Sequence, residues 1–93
     1  MNAESIVRKV EGQASRVMNG EALIVVTEHR KLHRLNAVGT RVWELCDGRP
    51  LGEIVSTIVA EFEVGPDEAL RDVNVFIDAL VGLGALTVSE APA

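Results

Sequence analysis

The hydrophobic pattern of this chain changes period once, at Asn36. Before it, apolar residues sit in short runs bounded by turn residues. After it, they recur at spacings of three and four. One such switch predicts a block of strands followed by a block of helices, an α+β fold rather than alternating βαβ units. In the first block, Asn19-Gly20 separates Ala14-Ser15-Arg16-Val17-Met18 from Glu21-Ala22-Leu23-Ile24-Val25-Val26-Thr27. Asn-Gly favours a type I′ hairpin turn, whose two central residues both need positive φ. Leu23 to Val26 is β-branched and apolar on both faces, which marks a central strand. Glu28-His29-Arg30 reads as a turn. Lys31-Leu32-His33-Arg34-Leu35 reads as a third, more charged strand, suited to a sheet edge.

Asn36 is a good N-cap, and Val38, Val42, Leu45 and Cys46 form the stripe of a first helix, stopped by Asp47-Gly48. Pro50 opens a second helix lined by Leu51, Ile54, Ile58 and Phe62, and Val64-Gly65 breaks it. Pro66-Asp67-Glu68 starts a third helix, with carboxylates at its positive end. Val73, Phe76, Ile77, Leu80 and Leu83 line one face of it, and Gly84 closes it. The reading is one winged helix-turn-helix-like domain over residues 13–88, a three-stranded antiparallel sheet followed by three helices. Residues 1–12 are expected to be a flexible arm and residues 89–93 a tail, with Ala85 to Val88 a short strand or an extended tail.

Length and charge narrow the function classes. Ninety-three residues support one core, which excludes multidomain enzymes. The net charge of −5 argues against nucleic acid and anionic membranes as partners. The charge is uneven: residues 1–49 carry +2, and residues 50–93 carry −7 with Arg71 as their one cation. A single cysteine, Cys46, and no visible secretory signal fit a cytoplasmic protein. No phosphate loop, nucleophile elbow or HExxH motif is present, so an enzyme is not expected. His29 and His33, four residues apart on extended chain, lie about 13 Å from each other, too far to share a metal. No cofactor is expected. Cys46 and Trp43 read as packing residues, and Glu61 and Glu63 as surface charges.

The ordered set Leu35-Asn36, Trp43-Glu44-Leu45, Asp47-Gly48, Glu53-Ile54, Phe62-Glu63-Val64, Asp72-Val73, Phe76-Ile77, Leu80 and Gly84-Ala85-Leu86 resembles the PqqD family of RiPP recognition elements. The resemblance covers Leu35 to Leu86. It implies a non-catalytic winged helix-turn-helix protein that binds the leader of a ribosomally made precursor peptide. Such a protein presents the leader to a modifying enzyme, a radical SAM protein in the pathway to pyrroloquinoline quinone (PQQ). The leader is expected to add as a strand beside the third strand and to pack on the third helix.

An edge strand offers unpaired N–H and C=O groups that an extended guest can satisfy. The candidate peptide-binding residues are therefore Lys31, Leu32, His33, Arg34 and Leu35 on the strand, and Asp72, Val75, Phe76 and Ala79 on the helix. Lys31 and Arg34 could pair with acidic leader residues or serve as solvated edge charges. Phe76, like Val73, reads foremost as core, and one of Leu32 and Leu35 should enter the core. The alternatives are a recognition element of another peptide pathway, such as that of lasso peptides, and a winged-helix DNA-binding protein. The second helix lacks Arg, Lys, Asn and Gln, and the third offers Arg71 and Asn74 amid acids, which disfavours DNA. An open edge also allows a homodimer.

Overall fold

A computed structural model describes residues 2–11, 14–26 and 31–90. The chain order is β1 (Ile6–Lys9), β2 (Ala14–Met18), β3 (Glu21–Val26), β4 (Lys31–Arg34), α1 (Ala37–Leu45), β5 (Asp47–Pro50), α2 (Leu51–Phe62), α3 (Pro66–Gly82) and β6 (Leu86–Ser89). The fold is α+β, with three helices and two three-stranded antiparallel sheets. Residues 27–30, with the expected turn and His29, and residues 91–93 of the expected tail lie outside the described residues.

The β2-β3-β4 sheet is the expected meander, with β3 in the centre. Asn19 and Gly20 take φ of 54° and 77°, as a type I′ turn requires, and set Met18 opposite Glu21. Ala22 and Ile24 on β3 point into the core and are fully buried.

The second sheet, β5-β1-β6, corrects the reading of residues 1–12 as a loose arm. Ile6 to Lys9 is its central strand, pairing with β5 on one side and β6 on the other. Val7 is completely buried, and so is the neighbouring polar Ser5. The N-terminal segment also caps α2. Leu51 N–H donates to Ser5 O and Gly52 N–H to Ala3 O, each at 2.8 Å. These bonds satisfy two of the donors that every helix start leaves free. A Cβ on Gly52 would lie 3.2 Å from Ala3 O, so the glycine inside the helix permits this close approach.

Helix α1 starts where expected, with Asn36 Oδ1 accepting from Gly39 N–H at 2.8 Å. Thr40 joins α1 to both strands beneath it. Its Oγ1 accepts from Ala22 N–H at 2.7 Å and donates to Leu35 O at 3.3 Å. Cys46 caps this helix rather than extending it, and Asp47-Gly48 leads into β5 instead of a plain stop. Gly48 takes φ of 103°, where the backbone passes beneath the Arg8 guanidinium. On the outside of the bundle, Arg41 of α1 and Glu61 of α2 form a two-pronged pair, with N···O distances of 2.9 and 3.0 Å.

Helix α2 ends at Phe62, and Glu63 caps it in the left-handed region at φ 54°, one residue before the expected break. Pro66 begins α3, and Gly84, at φ 80°, turns the chain into β6. One core collects Leu45, Leu51, Ile54, Ile58, Val73 and Ile77 between helices and sheets. Trp43 is buried, with Lys9 Nζ 5.3 Å from its ring centroid.

Cys46 is buried in this core, and its Sγ–H donates to Val42 O at 3.1 Å. Burial pushes the thiol up from 9.0 to about 12, against the smaller opposing effect of Lys9. The folded chain thus holds this proton more tightly than the unfolded chain. Its stabilising contribution is complete below about pH 8.5 and is lost as pH rises towards about 12. The urea midpoint of the native chain is expected to fall more steeply above about pH 8.5 than that of Cys46→Ala, in parallel denaturation curves. Equal slopes would show that the thiol is not what titrates.

Candidate functional site

Strand β4 ends its sheet, and among the described residues no strand pairs with its outer side. Leu35 N–H donates to Ala22 O at 2.8 Å, which fixes the alternation along the strand. His33 and Leu35 direct their backbone groups towards β3, whereas Leu32 and Arg34 direct theirs outwards. The open edge therefore presents the N–H and C=O of Leu32 and Arg34.

Side chains alternate in the perpendicular direction. Leu32 and Arg34 share a face with Val25 and Leu23, while His33 and Leu35 lie on the side of Ile24 and Ala22. Leu35 is the leucine that enters the core, at 8% exposure, and Leu32 stands out at 63%. Arg34 Nη2 pairs with Glu21 Oε1 at 3.2 Å on that outer face, well exposed to water. His33 is half-buried, and its Nε2 has no hydrogen-bond partner among the described residues. The Lys31 side chain lies outside what the structure describes.

Of the concavities around this region, one is lined by Met18, Asn19, Glu21, Leu23 and Arg34 beside the hairpin turn, and two others bear on the expected site. One, of about 400 Å³, lies on the outer face of the meander among Ser15, Arg16, Leu23, Val25 and Leu32. The other, of about 240 Å³, lies between α1 and α3 and is lined by Asn36, Val38, Gly39, Val42, Asp72, Val73 and Phe76. It is smaller, but it is the one formed by the start of α1 and the stripe on α3 singled out in the sequence. Of the four helix candidates, Asp72 and Phe76 line it. Val75 and Ala79 lie on the exposed flank of the same helix, Val75 at 63%. Phe76 is accordingly a half-buried wall of the groove rather than interior core.

The contribution of α1 was not anticipated. Asn36, Val38, Gly39 and Val42 form the opposite wall. A signal for it existed in Gly39, a helix-interior glycine that costs about 1 kcal/mol against alanine. Its Cβ would lie 3.0 Å from Phe76 Cε2. Glycine lets the ring settle against the α1 backbone and leaves the cavity open. In Gly39→Ala the gain in helix propensity and the push on Phe76 oppose each other, so thermal stability is expected to change by less than about 1 kcal/mol. Ligand affinity through the groove should fall several-fold in the same variant, measured by fluorescence titration. Unchanged affinity would show that the cavity is not used.

Among the described residues no group of His, Cys, Asp and Glu is placed to hold a metal ion, and no helix is long and apolar enough to cross a membrane.

Comparison with known proteins decides the family. The model of coenzyme PQQ synthesis protein D (PqqD) matches residues 21–86. The chain belongs to the PqqD family. The matched span includes β4, α1, α3 and both walls of the groove, and leaves β1 and β2 outside it. A solved structure described as TbiB1 in complex with the TbiA(beta) leader peptide is similar, with 29% identity and a TM-score of 0.79. The alignment covers 85% of this chain and 93% of that one. No curated protein matches the sequence. PqqD membership agrees with the resemblance seen in the residues from Leu35 to Leu86.

Proposed function

We propose that this PqqD-family chain is a non-catalytic recognition element for a ribosomally made precursor peptide. It holds the leader as an added strand on the β4 edge, beside α3, and presents the remainder to a modifying enzyme. The observation that carries the reading is the β4 edge, unpaired among the described residues, followed at Asn36 by the start of a formed groove. The complex of TbiB1 with a leader peptide supports it from a related fold.

The physical basis is strand addition. The outward N–H and C=O groups of Leu32 and Arg34 can each accept a guest backbone partner. Each bond contributes about 0.5–1.5 kcal/mol net, because water is displaced in exchange. Those bonds give affinity without reading sequence. Guest side chains alternate, so every second one faces the α1–α3 groove, and the others continue the apolar outer face next to Leu32. Ordering a flexible leader costs several kcal/mol, which fits micromolar affinity.

The finer reading follows the family resemblance: the recipient enzyme is a radical SAM protein, and the pathway is that of PQQ. The protein would act in the cytoplasm, where ribosomal precursors are made. Titration of the isotope-labelled chain with its cognate leader tests the binding mode. Amide shifts confined to residues 31–35 and to the groove-lining helices α1 and α3 are expected. Binding that leaves those amides unmoved would refute strand addition. Pull-down of the enzyme with and without precursor separates presentation of peptide from simple enzyme docking.

A further inference from the structure

We propose that the groove selects a guest strand bearing a bulky apolar side chain and, two residues away on the same face, a lysine or arginine. This rests on the strand-addition reading above and adds the chemistry of the guest. The floor is apolar, formed by Val38, Val42, Val73 and Phe76. At about 240 Å³ the cavity has the liquid volume of roughly eight waters, room for one large side chain.

The rim is not neutral. Asp72 lines the same cavity, is exposed, and forms no ion pair among the described residues. Glu68, one turn earlier, is likewise exposed and without an ion pair there. Arg34 of β4 does not offset them, because it lies on the outer face and pairs with Glu21. A positive guest side chain is therefore attracted inwards, and an acidic one is repelled.

Spacing fixes where the cation falls. Asp72 and Phe76 are four residues apart on α3, about 6 Å along its axis. Alternate residues of a strand are about 6.6–6.8 Å apart on one face. A guest strand lying along α3 thus places one side chain against Phe76 and its next same-face neighbour at Asp72.

The test is a display selection of random twelve-residue peptides on the full chain and on its Asp72→Asn and Asp72→Lys variants. Asp72 is exposed, so both substitutions keep the fold. The native chain should enrich peptides with a bulky apolar residue and a Lys or Arg two positions away. Asp72→Asn should lose the basic preference while keeping the apolar one, and Asp72→Lys should replace it with Asp or Glu. For one enriched peptide, changing its basic residue to glutamine should weaken binding to the native chain about two- to fivefold, and less at high salt. Enriched peptides with no basic preference, or a preference unmoved by Asp72→Lys, would overturn this inference and leave strand addition standing. Failure to enrich any peptide on the native chain would overturn both.

Discussion

Leu32→Pro is expected to weaken leader binding at least about tenfold while leaving the fold intact. Proline removes the outward N–H of Leu32, and its ring occupies the space where a guest carbonyl would approach. It breaks no bond to β3, because the backbone of Leu32 faces away from that strand. Edge strands tolerate proline at such positions. The side chain is not what matters, since Leu32 is 63% exposed. Leu32→Ala keeps the N–H and should bind within about twofold of the native chain, if the two backbone bonds outweigh a single outer-face contact. Isothermal titration of the three chains with one leader checks this. Equal binding by the proline variant would place the guest elsewhere.

The second large effect concerns the N-terminus. Removing residues 1–9 should unfold the domain, as should Val7→Asp. Truncation deletes the strand that lies between β5 and β6, leaving neither with a partner. It also removes the Ala3 and Ser5 carbonyls that cap α2. In Val7→Asp, a carboxylate replaces a fully buried valine with no cation built to receive it. That cost, roughly 3–5 kcal/mol, is comparable with the whole stability of a small domain, about 5–15 kcal/mol. Circular dichroism in urea should show a lost or much lower midpoint for both. The family match begins only at residue 21, so a chain cut to the matched span is expected to fail for the same reason. A cooperative transition at the native midpoint in the truncated chain would mean that the β5-β1-β6 sheet is dispensable.

The elements that could be read from the sequence are those whose signals are local. Helices α1, α2 and α3 announce themselves by apolar spacing, by the Asn36 cap and by Pro66. The β2–β3 hairpin follows from the steric demand of Asn19-Gly20. Strands β1 and β5 have no such signature. Ile6-Val7 is too short to show a period, and Asp47-Gly48-Arg49-Pro50 contains no strand-favouring residue. Both are strands because of pairing across long sequence separations, Val7 with Val88 and with Arg49. Such pairings leave no trace in a local pattern.

The candidate site divides in the same way. Charge and position pointed to β4 as an edge, and helical spacing pointed to Asp72 and Phe76. The far wall of the groove, from Asn36 to Val42, depends on how closely α1 approaches α3. Only Gly39 hinted at that. Which of Leu32 and Leu35 enters the core followed from register, which the bond from Leu35 N–H to Ala22 O settles.

The central claim is most directly tested by amide-resolved hydrogen exchange on the chain alone and saturated with leader. In the free chain the amides of Leu32 and Arg34 should exchange quickly, and those of His33 and Leu35 slowly, as the β3–β4 pairing requires. With leader bound, Leu32 and Arg34 should become protected by about tenfold or more, and the other edges should not change. Protection appearing instead on β2 or β6, with Leu32 and Arg34 still open to solvent, would contradict guest addition at β4.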